Sequence, residues 1–374
     1  MNIGITCYPT YGGSGTVATE LGKNMARRGN KVHFITTALP YRLSDFIENI
    51  YFHEVQVFNY PLFDYVPYTL SLASKMAQVA LREELDLLHV HYAVPHATAG
   101  YLARKILEKK GRRLPIITTL HGTDITLVGV DPSYFEITRF SIEESDAVTA
   151  VSNYLRVQTL YRFAVDIPIT VIPNFVNTER FSPSTTINRS LFAEPDEKIL
   201  MHISNFRPVK RIRDIIEVFE KVLKRVKSRL VLIGNGPEKE PAVKLIEERG
   251  LRERVRFLDR QVDVSRLLPL ADLYLLLSEH ESFGLTALEA MSCGVPVIGT
   301  SGSGMDEFFG AGAVGMLFTV GDIPSIAEGC VSILTDPGLA RRMGGAGRER
   351  AITDYCEELI TERYVELYRS VIDR

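Results

Sequence analysis

The residues best suited to chemistry lie in one segment, SEHESFGLTALEAMS at 278–292, where Glu281 and Glu289 stand eight positions apart. Gly284 predicts a tight turn, and a helix predicted over Leu285–Ser292 would direct its first amide groups outward, where they suit a phosphate. Two carboxylates that lie close together at this turn can accept hydrogen bonds from the paired hydroxyls of a sugar or a ribose. The alternative is that both are solvated surface acids, but the apolar neighbours of Glu289 argue against it.

A second turn, Ser204–Arg211, follows a strand predicted over Lys198–Ile203. It carries three cations within five residues, Arg207, Lys210 and Arg211. They could grip a diphosphate, with lysine acting as a point charge and arginine as a fork. The alternative interpretation is a solvated basic turn that opens a helix.

A glycine-rich loop predicted over Pro9–Thr16 contains Gly12-Gly13-Ser14-Gly15. Its glycines would let the backbone approach a ligand closely, next to the amino end of the following helix. The spacing Gly13-x-Gly15-x-x-Ala18 also fits a dinucleotide fingerprint, which needs an acidic residue about 20 positions further on. The next strand instead ends in Ile35-Thr36-Thr37, so an NAD-binding oxidoreductase is disfavoured. A glycine turn required only for packing stays open.

A histidine follows another strand, predicted over Pro115–Thr119. His121 could donate a hydrogen bond to a sugar hydroxyl or position a reacting group, although a lone histidine is more often structural. His89, His91 and His96 raise the question of zinc, and the first two would share one face of a strand. No nearby carboxylate or cysteine completes a zinc site, so no metal is predicted.

These turns belong to a chain in which short apolar runs alternate with amphipathic stretches, the pattern of βαβ units and parallel sheets. Ligands of such sheets bind beyond the carboxyl ends of the strands, where all four turns lie. A proline-containing connection at Ile172–Asn174 separates two α/β halves, joined near residues 170–185. The other predicted strands are Asn2–Cys7, Lys31–Thr36, Leu87–His91, Ala147–Val151, Leu230–Ile233, Val255–Leu258, Leu273–Leu277 and Val295–Ile298, and the other predicted helices are Val17–Arg28, Ile212–Val226 and Thr353–Arg374.

Composition excludes several classes of protein. The 374 residues are 45% hydrophobic and 24% charged with a formal charge of −3, which is typical of a globular chain and argues against a broad nucleic-acid footprint. No apolar run approaches the ~18 residues of a membrane-spanning helix, and the N-terminus lacks the features of a signal peptide. The four cysteines are far apart and form no CxxC pair. A reducing cytoplasm is therefore the expected location.

Taken together, these motifs resemble the retaining GT-B glycosyltransferases of family 4. The resemblance is carried by ESFGLTALEAMSCGVPVIGT at 281–300, and it is supported by GGSG at 12–15, GNGPE at 234–238 and the Lys210 segment. It implies an α/β fold of two Rossmann-like domains whose parallel sheets face an interdomain cleft. Residues 1–170, completed by the helix at 353–374, would bind the acceptor, and residues 171–352 would bind the nucleotide sugar.

Segments of the N-terminal half resemble one subgroup of this family more closely: MNIGITCYPTYGGSGTVATELG, LLHVHYAVPHA, HGTDITLVG and TRFSIEESDAVTAVS. Members of that subgroup move N-acetylglucosamine from UDP-N-acetylglucosamine to L-malate at the start of bacillithiol biosynthesis. The resemblance therefore implies UDP-N-acetylglucosamine as donor, L-malate as acceptor and retention of the α configuration. The sequence has no Asp-x-Asp motif of the kind that metal-dependent sugar transferases use, so catalysis without a metal is expected. It leaves open another nucleotide sugar, another acceptor such as an inositol phosphate, a non-catalytic binding module, and a homo-oligomer.

The resemblance also implies roles for individual residues, some on the donor side and some on the acceptor side. The resemblance implies that Lys210 contacts the diphosphate, Glu289 the uridine ribose, and Glu281 with the Phe283, Gly284 and Leu285 backbone the donor sugar and phosphate. His121 would face the donor sugar, Gly13, Ser14 and Gly15 would lie near the diphosphate and acceptor, and Tyr92 and Asn153 would contact the acceptor. Lys210, Glu281 and His121 are thus the expected catalytic residues.

One departure from the family pattern concerns the phosphate grip. Relatives often carry Gly-Arg where this chain has Ser204-Asn205 and glycine where it has Arg211, so the nearest guanidinium is that of Arg207. Asn205 and Arg207 are both expected on the donor side. Malate is a dianion and needs cations, for which the first half offers Arg139 and Arg156 among others.

Overall fold

Parallel strands form from short apolar runs in both halves of the chain, which the computed structural model describes at residues 1–10, 12–43, 45–58, 62, 64–309 and 313–374. Two units result. Unit 1 comprises Met1–Asn174 and Glu357–Arg374, and unit 2 comprises Phe175–Cys356.

Within the described part of unit 1, seven strands form one parallel sheet in the order β3-β2-β1-β4-β5-β6-β7. This is the strand order of a doubly wound Rossmann-like sheet. Every residue of β4 and β5 is buried, because both faces of the sheet are covered there. The strands are β1 Asn2–Thr6, β2 Lys31–Thr36, β3 Ile50–Glu54, β4 Leu87–His91, β5 Ile116–Leu120, β6 Ala147–Ala150 and β7 Ile169–Val171.

Unit 2 has its own parallel sheet, of six strands among the residues described, in the order β10-β9-β8-β11-β12-β13. Its core packs the strands against amphipathic helices such as the one at Ile212–Leu223. The strands are β8 Lys198–Ser204, β9 Ser228–Gly234, β10 Val255–Leu258, β11 Leu273–Leu276, β12 Val297–Thr300 and β13 Gly315–Phe318.

Helices connect the strands in both units. They are α1 Gly13–Arg27, α2 Tyr68–Arg82, α3 Thr98–Glu108, α4 Phe135–Glu143, α5 Asn153–Phe163, α6 Ile212–Leu223, α7 Lys239–Glu248, α8 Leu285–Ser292, α9 Asp306–Phe309, α10 Ile323–Thr335, α11 Pro337–Asp354 and α12 Glu357–Ile372. Across the residues described, no helix has the length and apolar character needed to cross a membrane.

The predicted fold class, α/β with two parallel sheets, is confirmed, but several element boundaries were wrong, most of them by one or two residues. The loop predicted over Pro9–Thr16, of which Tyr11 lies outside the described residues, ends at Gly12, because α1 already begins at Gly13. The strand predicted over Val295–Ile298 runs from Val297 to Thr300, because Pro296 has no N–H for the sheet and only its carbonyl pairs, accepting from the Tyr274 amide. The helix predicted over Ile212–Val226 ends at Leu223.

The C-terminal stretch also differs from its prediction. The single helix predicted over Thr353–Arg374 is the end of α11 followed by α12, with an isolated bridge from Val176 to Cys356 between them. Helix α12 lies in unit 1, where Asn24 on α1 donates to Thr361. Its Tyr368 hydroxyl hydrogen-bonds His89 Nδ1 at 2.6 Å under the sheet's strand β4.

Candidate active site

In unit 2, the loops that follow β8 and β11 meet through an ion pair. The Lys210 ammonium donates to Glu281 Oε2 at 2.7 Å, and the Ser278 hydroxyl donates to the same oxygen at 3.2 Å. The side chains of Lys210 and Glu281 are 19% and 15% exposed, so both remain reachable from solvent. A backbone bond from the Glu279 amide to the Val209 carbonyl joins the same two loops. The structure thus brings together Lys210 and Glu281, which the family resemblance assigns to the same nucleotide sugar.

The turn that precedes α8 is stabilised by contacts with neighbouring residues. Gly284 has φ +94°, a conformation that favours glycine, and it precedes the first helical residue, Leu285. Gly304 presses against the same turn: its amide donates to the Glu281 carbonyl, and a Cβ there would lie 2.0 Å from the Ser282 carbonyl oxygen. Phe283 is buried beneath, 5.4 Å from the Phe308 ring. The first amides of α8 have no partners within their own helix, as at any helix start, and so can receive an anion.

Glu289 lies inside the helix and faces inward. It is 4% exposed, which confirms the predicted orientation and excludes a solvated surface acid. Its charge adds to the burial that raises the pKa of Tyr274 and of Cys293 above their ordinary values.

The cationic turn is less uniform than its sequence indicates. Arg211 turns toward its own helix, where Nε donates to Asp214 Oδ2 at 2.6 Å, so of the three cations only Lys210 pairs with Glu281. Arg207 is exposed, and no ion pair to it occurs among the described residues. Asn205 is half-buried, and its Oδ1 is a buried acceptor with no hydrogen-bond partner in the described part of the chain.

The glycine turn at 234–238 supports this cationic loop. A Cβ on Gly234 would lie 1.9 Å from the Ser204 carbonyl oxygen, and one on Gly236 would lie 2.0 Å from that of Asn205. The Glu238 amide donates to the Phe206 carbonyl at 2.9 Å. These glycines therefore allow two loops to touch backbone to backbone.

In unit 1, the predicted residues gather at the carboxyl ends of β4 and β5. His91 Nδ1 and His121 Nε2 are 2.8 Å apart, and the rings of Tyr92 and His121 are 5.4 Å apart. Ser14 and Thr123 are hydrogen-bonding neighbours of the Tyr92 hydroxyl, whose pKa burial raises to about 12. Tyr92, His121 and Ser14 thus form one cluster.

The glycines beside Ser14 have different surroundings. A Cβ on Gly15 would lie 2.6 Å from the Tyr8 carbonyl oxygen, so Gly15 is needed for packing, whereas a Cβ on Gly13 would meet no atom of the described residues within 4 Å. Asn153 is exposed at the start of α5, and its Oδ1 accepts a hydrogen bond from Arg156 at 3.0 Å. Arg139 pairs with Glu143 on its own helix at 3.1 Å.

Sequence reasoning missed Asp124, which fixes the loops of the unit 1 cluster. Its carboxylate accepts hydrogen bonds from the amides of Ala93 (3.1 Å), Gly122 (2.9 Å) and His121 (3.3 Å). It is 1% exposed, and burial raises its pKa to about 6. The signal was present, since an aspartate three positions after the histidine and two after a glycine is typical of a side chain that accepts from its own turn.

The histidines around the cluster are neutral. Burial lowers the pKa of His89 and His121 to about 3 and that of His96 to about 4. His89 and His91 do share a face of the strand, with ring centroids 4.4 Å apart. In the described part of the chain, no three His, Cys, Asp or Glu side chains are grouped as a metal ion requires.

Two family models match the chain: "Glycosyltransferase Family 4" at residues 11–180 and "Glycosyl transferases group 1" at 184–350. The N-acetyl-alpha-D-glucosaminyl L-malate synthase of Bacillus anthracis is 47% identical over 374 residues, all of this chain and 97% of that protein.

Among solved structures, sucrose-phosphate synthase from Thermosynechococcus elongatus matches with a TM-score of 0.83 at 22% identity, covering 100% of this chain and 99% of that one. HepE from Anabaena, solved in complex with UDP and glucose, matches with a TM-score of 0.83 at 20% identity, covering 99% and 100%. These two likenesses concern the fold, whereas the relative at 47% identity concerns the family. The chain therefore belongs to the family-4 glycosyltransferases and has their GT-B fold.

Proposed function

We propose that this glycosyltransferase transfers N-acetylglucosamine from UDP-N-acetylglucosamine to the hydroxyl of L-malate, with retention of the α configuration and release of UDP. The observation that carries the substrates is the 47% identity, over the whole chain, to a protein named N-acetyl-alpha-D-glucosaminyl L-malate synthase. The UDP complex of the structural relative HepE agrees with a uridine donor.

The donor side of the proposal rests on the geometry of unit 2. Lys210 is already neutralised by Glu281 at 2.7 Å. A bound diphosphate would offer the ammonium a stronger anion, and Glu281 would then be released to accept hydrogen bonds from sugar hydroxyls. The amides at the start of α8 would share the phosphate charge, and Glu289 would accept from the ribose.

Charge on the departing diphosphate is the main obstacle in this reaction. The bond from the sugar C1 to the phosphate oxygen breaks, and the bond from C1 to the malate oxygen forms on the same face. The malate hydroxyl proton passes to the departing phosphate, so no protein nucleophile takes part. Lys210 and the α8 amides would stabilise the leaving group by preorganised electrostatics, and the proposal assigns no step to a metal.

The acceptor side of the proposal rests on the unit 1 cluster. His121 would contact the donor sugar, and Tyr92 and Ser14 would lie on the side of the acceptor. We place the residues that hold the malate carboxylates in unit 1, where the segments typical of the malate-specific subgroup occur.

The test is an assay of UDP release from UDP-N-acetylglucosamine with and without L-malate, followed by the anomeric proton coupling of the product. We expect UDP only when malate is present, an α-linked product, and the same rate in EDTA. Parallel reactions contain UDP-glucose, GDP-mannose, D-malate or inositol phosphate. A preference for one of these overturns the substrate assignment, a β-linked product overturns retention, and loss of activity in EDTA overturns metal independence.

A further inference from the structure

Two histidine rings in unit 1 lie within hydrogen-bond distance of each other. His91 Nδ1 lies 2.8 Å from His121 Nε2, with the ring planes 26° apart. His91 is fully buried and His121 is partly exposed. Burial lowers the pKa of both rings, for His121 to about 3, so near pH 7 each ring has one N–H and one bare nitrogen. One ring must donate and the other must accept.

The far nitrogen of His91 indicates which ring donates. His91 Nε2 is buried and has no hydrogen-bond partner among the residues described. If the proton of His91 were on Nε2, a buried N–H would be left without an acceptor. With the proton on Nδ1, Nε2 is only an acceptor without a donor. Buried N–H groups without an acceptor are rarer in proteins than buried acceptors without a donor. His91 therefore donates from Nδ1, and His121 accepts at Nε2.

Backbone contacts hold His91 in place within the sheet. His91 is paired with Thr119 in the register of β4 and β5, and its carbonyl accepts a hydrogen bond from His96 Nδ1 at 2.5 Å. On the other side, the His121 amide is bound by Asp124. The backbone of both histidines is thus held by hydrogen bonds within unit 1.

We infer that His91 is a positioning residue that fixes His121 in the Nδ1–H tautomer and so makes His121 Nδ1 a hydrogen-bond donor. Such a donor matches an oxygen of the donor sugar. This last step rests on the proposed function, because it takes His121 to contact the sugar. The tautomer itself is a property of the unliganded protein.

The experiment uses full-length protein labelled with ¹⁵N-histidine and long-range ¹H–¹⁵N correlation spectra near pH 7. His121→Asn identifies the His121 signals by their absence. We expect the wild-type His121 ring to carry its proton on Nδ1. A proton on Nε2 overturns the inference, whatever the substrates prove to be.

Two nearly isosteric variants separate positioning from packing. In His91→Asn, the side-chain amide can place an N–H donor where ring Nδ1 stood, whereas His91→Leu offers none. We expect His91→Asn to retain the Nδ1–H tautomer and most of the turnover. His91→Leu should lose the fixed tautomer and at least about tenfold in kcat, against the ~10²–10³ that removal of such a donor costs.

The outcomes separate this inference from the proposed function. Equal loss of turnover in both variants, or an unchanged His121 tautomer in His91→Leu, contradicts the positioning role. If the wild type transfers nothing to malate, the proposed function fails, while the tautomer in the spectra still decides the inference about His91.

Discussion

At the residue scale, Lys210 has a partner that must give way when the substrate binds. The ammonium and the Glu281 carboxylate are 2.7 Å apart, but both side chains keep some exposure to solvent. A partly exposed ion pair of this kind contributes about 0–1 kcal/mol to the stability of the fold. The Lys210 ammonium should stabilise a departing diphosphate by a much larger free energy, because the charge on that group develops only in the transition state.

Replacement of Lys210 should therefore separate activity from stability. We expect Lys210→Ala to lower kcat by ~10²–10³, the usual cost of one preorganised donor to a developing charge. The free energy of unfolding should change by less than about 1 kcal/mol, since Glu281 keeps the Ser278 hydroxyl. Steady-state kinetics and urea unfolding measure the two quantities.

A surface lysine provides the control. Lys227 is half-exposed and pairs with Asp196 away from these loops, so Lys227→Ala should keep wild-type turnover. Near-normal turnover in Lys210→Ala would contradict the assignment of Lys210 to the leaving group.

At the element scale, the start of α1 shows that neighbouring glycines of one motif can serve different ends. Gly13 and Gly15 both belong to the first turn of the helix. Gly15 touches the chain that leaves β1, whereas a Cβ on Gly13 would have none of the described residues within 4 Å.

The two glycines should accordingly respond differently to alanine. Gly15→Ala places a methyl group 2.6 Å from the Tyr8 carbonyl oxygen, and we expect it to destabilise unit 1 by about 1–3 kcal/mol. Gly13→Ala is the matched control: it should leave stability unchanged or slightly raised, because alanine favours helix. Because the family resemblance implies that Gly13 lies near the diphosphate and acceptor, Gly13→Ala should also raise KM for the substrates.

Thermal unfolding and steady-state kinetics of the pair measure these effects. Equal stability of the two variants would show that α1 can shift to admit a methyl group at Gly15, and the packing role assigned to Gly15 would be wrong.

Several strands could be predicted from the sequence, whether or not they are fully buried. Lys31–Thr36, Leu87–His91 and Val255–Leu258 were predicted to the residue, because apolar runs between turn signals define them. Strand β3 at Ile50–Glu54 was missed; it lies at the sheet edge, and one of its five residues is buried. The three-residue β7 offers too short a pattern.

Some contacts of the candidate site could be predicted from the sequence, and others could not. The Lys210 and Glu281 loops could be predicted to meet, because each follows a parallel strand and β8 and β11 are neighbours. The contact of His91 with His121 depends on the register of β4 against β5, which no local pattern reveals. The bond from Tyr368 to His89 depends on α12 lying in unit 1, 279 residues from its partner.

At the scale of the whole molecule, the histidines are distributed unevenly. Unit 1 holds His33, His53, His89, His91, His96 and His121, and unit 2 holds His202 and His280. Burial lowers the pKa of all six in unit 1, to about 4 for His33 and His96 and about 3 for His89 and His121. In unit 2 it lowers that of His202 to about 4.

This distribution predicts that acid destabilises unit 1 before unit 2. A histidine with a lowered pKa in the folded state binds its proton mainly when unfolded, so its contribution to stability is complete above pH ~6.5 and is lost as the pH falls toward 4. At pH 5, each such fully buried ring favours unfolding by about 2 kcal/mol. Asp124 acts in the opposite sense: its pKa is raised to about 6, so protonation between pH 6 and pH 5 returns about 1 kcal/mol to unit 1. The histidines outnumber it, and the net change in unit 1 should be a loss of several kcal/mol.

Hydrogen exchange measured by mass spectrometry at pH 7 and pH 5, corrected for the intrinsic exchange rates, resolves the two units within one sample. We expect the amides of β4 and β5 to lose protection at pH 5 by a much larger factor than those of β8 and β11, which serve as the internal reference. Asp124→Asn removes the opposing carboxylate and should make the loss in unit 1 steeper. Equal loss of protection in both sheets, or an earlier loss in unit 2, would mean that the buried histidines of unit 1 do not govern its acid stability.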